Sequence, residues 1–186
     1  MPRFCYRRSA VGQLLLGLAL LAAPSPALGL VAPSDVPLGA GRASGYQWKV
    51  SARQGRPLLA PCLTIDIQGS EESSESSALY RCSPLKGPPK LTTEVVQRGG
   101  RAITILAALL DPRIAHLQIS GRGSGVLGIT VRKGTRAESG ELGLDAFSYA
   151  HRAIARVFCP TRIVARNARG RVIYSLPAAC GQVGRG

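Results

Sequence analysis

The sequence predicts an all-β domain, a sandwich or a barrel, that is exported and cross-linked by disulfide bonds. Short runs in which apolar and polar residues alternate recur over residues 45–176, with turn-forming residues about every eight to twelve positions. No run has a convincing amphipathic helical period. An even number of cysteines, four, follows an N-terminal segment typical of export.

Residues 1–29 have the order of a secretory signal peptide. Three arginines precede an apolar run over residues 11–23, and small residues follow it up to Gly29. The run is well short of the roughly 20 residues that a spanning helix needs, so we expect cleavage after Gly29 rather than membrane anchoring. The adjacent Arg7 and Arg8 leave the twin-arginine route open as an alternative. No later run has spanning length, so we expect a product that is secreted or located in the cell envelope, without a transmembrane segment.

The remaining chain is long enough for one domain with a core and short for two. Residues 30–44 mix Pro and Gly with isolated apolar residues and show no period, which indicates a flexible linker. We therefore expect one β domain over residues 45–181 and a short tail over residues 182–186.

Two strands are expected to open the domain. Every second residue is apolar over residues 46–53, and residues 63–68 repeat this alternation, which is typical of half-buried strands. Residues 69–77 are too polar to be buried, so we interpret them as a solvated loop that ends at Cys82. The alternative is a weak cation site formed by the glutamates of that loop, Glu71, Glu72 and Glu75.

Four further strands and a terminal hairpin follow. The strands are expected over residues 91–98, 101–110, 114–119 and 126–133. Residues 103–110 contain enough Ala and Leu for a helix, but the β-branched residues at the start of this run favour a strand. Residues 163–166 and 171–176 flank a polar loop that ends in Gly170, which predicts a hairpin.

The cysteines that remain after cleavage are expected to form two disulfide bonds. Among the three possible pairings, Cys62 with Cys82 and Cys159 with Cys180 close loops of about 20 residues, and each bond would stabilise the fold by roughly 3 kcal/mol. Zinc is the competing use, but the cysteines form no C-x-x-C pair and no histidine stands near them in a ligand pattern. We expect no metal site.

Residues 123–128 match the glycine pattern of dinucleotide-binding loops, and Asp145 lies about 20 residues beyond, as that pattern requires. A bound phosphate needs a helix after the glycines, whereas residues 129–131 are β-branched and alternate as a strand. We therefore interpret the glycines as a hairpin turn and expect no cofactor.

Candidates for catalysis are few. His116 and His151 are the two histidines, and we interpret both as surface residues. A hydrolase that uses His116 or His151 is the alternative, for example with Ser124 and Asp111 as partners of His116. The carboxylates that could pair for glycoside chemistry are Glu94, Asp111, Glu138, Glu141 and Asp145.

Charge is strongly polarised along the chain. The whole chain carries +14, and residues 1–29 contain three of the 24 basic residues and none of the 10 acidic ones, so the remainder carries +11. Residues 151–186 contain seven arginines and no acidic residue. An exported protein with this charge meets anionic envelope polymers, lipid head groups or an acidic extracellular protein. General solubility and the codon usage of a GC-rich genome are the alternative explanations.

Four of these arginines form the candidate anion-binding site. Arg162 and Arg166 share one face of a predicted strand, and Arg169 and Arg171 lie beside the hairpin loop. Guanidinium groups so placed can bind phosphate or carboxylate groups in a bidentate manner. Nucleic-acid binding is not expected, because Tyr174 is the one aromatic residue nearby that a base could stack on.

Part of this pattern resembles small secreted β-sandwich domains of uncharacterised proteins from high-GC bacteria. The resemblance covers residues 45–176, and Cys159 and Cys180 lie outside the shared pattern. The residues that carry it are Trp48-Lys49-Val50, Cys62-Leu63, Cys82, Phe147 and the segment from Val164 to Val172. It implies a single antiparallel, Ig-like β-sandwich outside the cell, and it implies no activity.

The sequence thus favours a secreted, non-catalytic module that associates with an anionic envelope or extracellular partner through its C-terminal arginines. Two alternatives remain open: the hydrolase described above, and a purely structural or inhibitor-like module.

Overall fold

The computed structural model describes residues 35–55, 60–69, 76–122, 125–180 and 183–185, so the predicted signal peptide lies outside the described residues. Most of the described chain is β-strand. The elements are β1 (Val36–Ala43), β2 (Tyr46–Arg53), β3 (Cys62–Gly69), β4 (Ser76–Cys82), β5 (Thr92–Arg98), β6 (Arg101–Leu110), β7 (His116–Gly121), β8 (Gly125–Lys133), α1 (Arg136–Glu141), β9 (Ser148–Ile154), β10 (Pro160–Arg166), β11 (Val172–Pro177) and β12 (Val183–Arg185).

The first sheet is an antiparallel meander in the order β1-β2-β3-β4. Ser44 and Gly45 join β1 to β2 in a tight turn, and both have positive φ, 50° and 79°, as the two-residue turns that match strand twist require. The interpretation of residues 30–44 as a flexible linker was wrong for residues 36–43, because these form β1. Val36 and Leu38 of this strand are buried in the core.

The second sheet has eight strands in the order β11-β10-β7-β8-β9-β6-β5-β12. Strand β8 links its two parts, because residues 125–130 pair with β7 whereas residues 131–133 pair with β9. All pairings are antiparallel except that of β12, which runs parallel to β5. The sheet curves over itself as a half-barrel, so one of its faces encloses a core of its own.

Strand β6 separates two hydrophobic cores. Ile103, Ile105 and Leu109 face the first sheet, whereas Leu106 and Leu110 face the strands of the half-barrel. The strand is therefore buried on both faces, and its side chains from residue 103 to residue 110 are all buried. This explains the continuous apolar run, which is typical of a strand covered on both sides.

The expectation of a mostly β, predominantly antiparallel fold with two disulfide bonds is confirmed, although the chain also contains the helix α1 and one parallel pairing. The description as one sandwich needs correction, because the larger sheet is a half-barrel that adds a second core. The strands predicted from alternation are present, and residues 101–110 form a strand rather than a helix. Strand β8 begins at Gly125 and continues to Lys133, so a strand rather than a helix follows the glycine pattern.

Both predicted disulfide bonds are present. Cys62 and Cys82 stand directly opposite each other on β3 and β4. Cys159, just before β10, is bonded to Cys180, in the segment that follows β11. The first bond therefore attaches the edge strand β4 to β3, and the second attaches the segment after the edge strand β11 to the start of β10. Two disulfide bonds are typical of a protein that matures in an oxidising compartment.

Besides β1, further elements differ from the sequence expectations. Strand β4 begins at Ser76, inside the segment interpreted as a loop, while Glu71, Glu72 and Glu75 lie outside the described residues. Residues 183–185 of the predicted tail form β12. The helix α1 was not expected: Thr135 accepts a hydrogen bond from the backbone N–H of Glu138, and the Glu138 carboxylate accepts one from the backbone N–H of Thr135, which is a capping box.

Candidate functional site

One asparagine side chain stabilises the loop of the β10–β11 hairpin. The Asn167 side-chain oxygen accepts hydrogen bonds of 3.0 Å from the backbone N–H groups of both Arg169 and Arg171. Gly170 has a φ of 75°, in the left-handed region that the loop requires. The predicted hairpin is present, and its loop conformation is fixed by local hydrogen bonds.

Strand β10 lies between β7 and β11, and its side chains alternate between two environments. Ile163 and Ala165 point into the half-barrel core, where they are 4% and 0% exposed. Arg162 and Arg166 therefore lie on the opposite, outer face of the strand, together with Val164. Positions four residues apart on a strand are separated by about 13 Å, which sets the spacing of the two arginines along it.

The outer side of four neighbouring strands forms one surface, which we call the basic face. None of these strands, β8, β7, β10 and β11, contains an Asp or a Glu. In strand order, the outward residues that define the basic face are Val126, Gly128, Thr130, Ser120, Gln118, His116, Arg162, Val164, Arg166, Val172, Ser175 and Pro177. Small and uncharged side chains thus surround the two arginines.

Both arginines of the basic face are held by neighbouring oxygens. The Nε and Nη2 atoms of Arg162 donate to Ser175 Oγ at 3.1 and 2.8 Å. The Nη1 atom of Arg166 donates to the Gly170 carbonyl at 3.0 Å. A guanidinium carries five N–H donors, so most of them remain for a ligand. In the described part of the chain, no carboxylate forms an ion pair with either group.

The other predicted residues lie close to this surface. His116 is exposed on β7 and is the cross-strand partner of Arg166. Arg169 and Arg171 are exposed in the hairpin loop, just beyond the end of β10. The basic face and the loop therefore combine four arginines and one histidine.

His151 lies elsewhere, between β9 and the first sheet, and it is not a simple surface histidine. Its ring is 5.6 Å from the ring of Trp48 and 6.3 Å from that of Tyr149. Burial lowers the pKa of His151, and the charge of Arg132 lowers it further, whereas a hydrogen bond to the Leu38 backbone opposes both effects. These contacts make the imidazole part of the packing between β1 and β9.

The partners that the hydrolase hypothesis requires are engaged elsewhere or lie outside the described residues. The Asp111 carboxylate accepts hydrogen bonds from the Arg113 backbone N–H and from its guanidinium, at 2.8 to 2.9 Å. The guanidinium hydrogen bond holds the pKa of Asp111 below its usual range. Ser124 is not among the described residues. Within those residues, no recorded hydrogen bond joins His116 or His151 to a Ser, Asp or Glu side chain.

Three of the carboxylates considered for glycoside chemistry lie on or after helix α1. Glu138 is used in the helix cap, and Glu141 and Asp145 are exposed. The described ranges contain no cluster of three or more His, Cys, Asp or Glu side chains that could hold a metal ion. Nor does any helix within them have the length and apolar composition needed to cross a membrane.

Comparison with known proteins adds no family to this description. No protein-family model, no curated protein and no solved structure matches the chain. The fold and the site therefore define a structural class: a mostly β protein with two disulfide bonds, a half-barrel and a basic outer face.

Sequence reasoning missed the part of the basic face that lies outside the hairpin. Gln118 and Ser120 of β7 border the arginines because β7 pairs with β10, although some 40 residues separate them in the sequence. Alternation within residues 116–121 indicated which side chains share a face, but it could not indicate the neighbouring strand. The absence of acidic residues from all four strands was the available signal.

Proposed function

We propose that the protein is an exported, non-catalytic module that binds an anionic polymer of the cell envelope or extracellular space through its basic face. The observation that carries the proposal is the arrangement of Arg162 and Arg166 on a four-stranded surface that lacks any acidic residue. A positive potential over such a surface attracts polyanions and is not cancelled by neighbouring carboxylates.

The contacts of the two arginines support binding rather than mere solubility. Solvated arginine side chains lose rotamer freedom when they bind a ligand, and this loss opposes binding. Ser175 and Gly170 already restrain Arg162 and Arg166, so part of this cost is met in the free protein. The remaining N–H donors suit phosphate, sulfate or carboxylate oxygens.

The shape of the basic face favours a polymer over a small ion. Positions 162 and 166 are about 13 Å apart along β10, and their guanidinium groups are bonded to different neighbours, Ser175 and Gly170, rather than gathered around one point. The side chains beside them are small or flexible and project little from the sheet; they belong to Gly128, Ser120 and Gln118. A chain with repeated negative charges can lie across such a surface and contact both arginines at once, which increases its affinity through effective concentration.

Export belongs to the same proposal. The two disulfide bonds support an oxidising location, and the order of basic, apolar and small residues in 1–29 supports a signal peptide. The Ig-like relationship suggested by residues 45–176 also remains part of the proposal, supported by two antiparallel sheets packed around a core.

Retention on an immobilised polyanion tests the proposal. The wild-type protein, residues 30–186, is loaded on heparin-agarose and eluted with a salt gradient, beside the double variant Arg162→Ala, Arg166→Ala. The control is Arg101→Ala, Arg136→Ala, which removes the same charge from exposed positions outside the basic face. We expect the affinity of the first variant to fall at least about tenfold and that of the control to stay nearly unchanged.

Two outcomes would contradict the proposal. Equal shifts for both double variants would show that net charge alone governs retention. Failure of the wild-type protein to bind at low salt, where electrostatic attraction is strongest, would show that the basic face has no affinity for a polyanion.

A further inference from the structure

A cleft of about 470 Å³ lies at the edge of the half-barrel and shares one lining residue, Pro177, with the basic face. It is bordered by the end of β4, the start of β5, the inner side of β10 and the segment that follows β11. Every residue that lines it belongs to the described chain. Its volume is in the range of sites that bind small organic ligands.

Covalent and hydrogen bonds fix the walls of the cleft. Cys82 lines one side and is bonded to Cys62 of the neighbouring strand. Cys180 lines the opposite side and is bonded to Cys159. The backbone N–H of Ala178 also donates to the Thr161 carbonyl at 3.0 Å, which attaches this segment to β10. The cleft is therefore preformed, which lowers the cost of ligand binding.

The start of β5 adds two threonines to the lining of the cleft. Thr92 and Thr93 are 9% and 8% exposed. Their cross-strand partners, Ala107 and Leu106, belong to different cores, so the two side chains lie on opposite faces of the strand. Neither hydroxyl is fully shielded from solvent.

The charge and polarity of the lining define the ligand class. Arg81 and Lys90 are the charged residues of the lining, and no acidic residue accompanies them. Leu91, Ile163 and Ala178 form an apolar wall that continues into the half-barrel core. One part of the cleft thus suits an anion and another suits a hydrocarbon.

We propose that this cleft binds a small amphipathic anion, a carboxylate or phosphate monoester with an apolar body. Its head group pairs with Arg81 and Lys90, and its body packs on Leu91, Ile163 and Ala178. The site contains none of the arginines of the basic face, and it takes one small molecule rather than a polymer.

Calorimetric titration with decanoate and decyl phosphate, each below its micelle concentration, tests the site. Decanol and decyltrimethylammonium have the same body with a neutral or a positive head group. We expect each protein to bind one anion. The affinity for decanol or for the cation is expected to be at least about tenfold lower. The two anions distinguish a carboxylate ligand from a phosphate ligand.

Two variants locate the binding. Arg81→Gln with Lys90→Gln is expected to weaken anion binding about tenfold or more, whereas the matched pair Arg101→Gln, Arg136→Gln leaves it unchanged. Ala179→Trp fills the cleft without changing charge and is expected to abolish binding. Circular dichroism verifies that each variant is folded. If Ala179→Trp does not fold, the Arg81, Lys90 variant alone decides whether the anion binds in the cleft.

Equal binding of decanol and the anions would overturn the proposal, as would unchanged affinity in the Arg81, Lys90 variant. Retention of that variant on heparin-agarose is expected to match the retention of the Arg101, Arg136 control. Failure of the small-anion site and failure of the basic face are therefore distinguishable.

Discussion

Thr104 holds the connection that leads to the arginine-bearing strand. Its side chain is fully buried in β6, where Oγ1 donates to the Arg156 carbonyl at 2.8 Å and accepts from the Phe158 backbone N–H at 2.9 Å. Residues 155–159 cross here from β9 to β10. One hydroxyl therefore fixes the path by which the chain enters the basic face.

Thr104→Val retains the shape of the side chain and removes both hydrogen bonds. The Phe158 N–H is left buried without an acceptor, at a cost of about 1–3 kcal/mol, and the lost bond to Arg156 adds about 1 kcal/mol. We expect the free energy of unfolding to fall by about 2–4 kcal/mol. Thr104→Ser retains the hydroxyl and loses one methyl group, for which we expect about 1 kcal/mol.

Urea denaturation of both variants with the disulfide bonds intact measures the two losses. Amide hydrogen exchange adds a local readout, because the Phe158 N–H should exchange faster in the valine variant than in the serine variant. A serine variant as destabilised as the valine variant would refute the reasoning, since it would show that packing of the methyl group, rather than the hydroxyl, stabilises this connection.

Three further predictions concern packing and titration. Gly134→Ala should destabilise the protein by about 1–3 kcal/mol, because its Cβ would clash with the buried Phe147 ring. Gly128→Ala, within β8, meets open space and should change stability by less than about 0.5 kcal/mol; thermal unfolding compares the two variants. Asp111→Asn should lower the free energy of unfolding at pH 7 by about 1–3 kcal/mol. This loss should shrink as the pH falls below about 4, because the unfolded chain then takes up the proton whereas the native carboxylate, with its lowered pKa, still resists protonation; urea midpoints at pH 7 and pH 3 would detect the change. Since the pKa of His151 is lowered in the fold, the unfolded chain takes up its proton first, and stability should fall as the pH drops below about 6.5; His151→Gln should reduce this dependence between pH 7.5 and 5.5.

The sequence predicted the strands that have one solvent face, because only these show alternation. Strand β1 was mistaken for a linker because Gly39 and Gly41 interrupt its apolar pattern. The structure gives the reason: a Cβ on Gly39 would clash with the His151 ring, and one on Gly41 would lie 2.8 Å from the Trp48 ring. Trp48 is the partner of Gly41 in the adjacent strand β2, whereas His151 belongs to β9, far away in the sequence, so local sequence contains no sign of the role of Gly39.

Other elements were missed for different reasons. The α1 helix has six residues, too few for a hydrophobic period, although Thr135 and Glu138 formed a recognisable capping box. Strand β4 begins in a serine-rich segment with low strand propensity and is held by its pairing with β3. Propensity describes the isolated chain, whereas pairing with a neighbour decides the structure of such a segment.

The sequence indicated the arginines of the candidate site but not the neighbouring residues that complete its surface. Strand periodicity placed Arg162 and Arg166 on one face, and the Asn167–Gly170 loop indicated the hairpin. The neighbours of these arginines depend on the order of strands in the sheet, and period-two patterns contain no information about that order. The small-anion cleft was not predicted at all, because its walls come from four segments that meet only in the folded chain.

The disulfide bond between Cys159 and Cys180 lies where hydrophobic burial contributes little. Strand β6 is buried on both faces and belongs to both cores, so its position is secured by apolar contacts. Strand β11, in contrast, is an edge strand whose residues are exposed or half-buried. The bond between Cys159 and Cys180 restrains the segments on either side of the β10–β11 hairpin, where noncovalent contacts are few. Because the basic face includes this hairpin and the cleft includes Cys180, both proposed sites lie at the margin of the fold, where side chains remain accessible and covalent bonds supply the rigidity that a core supplies elsewhere.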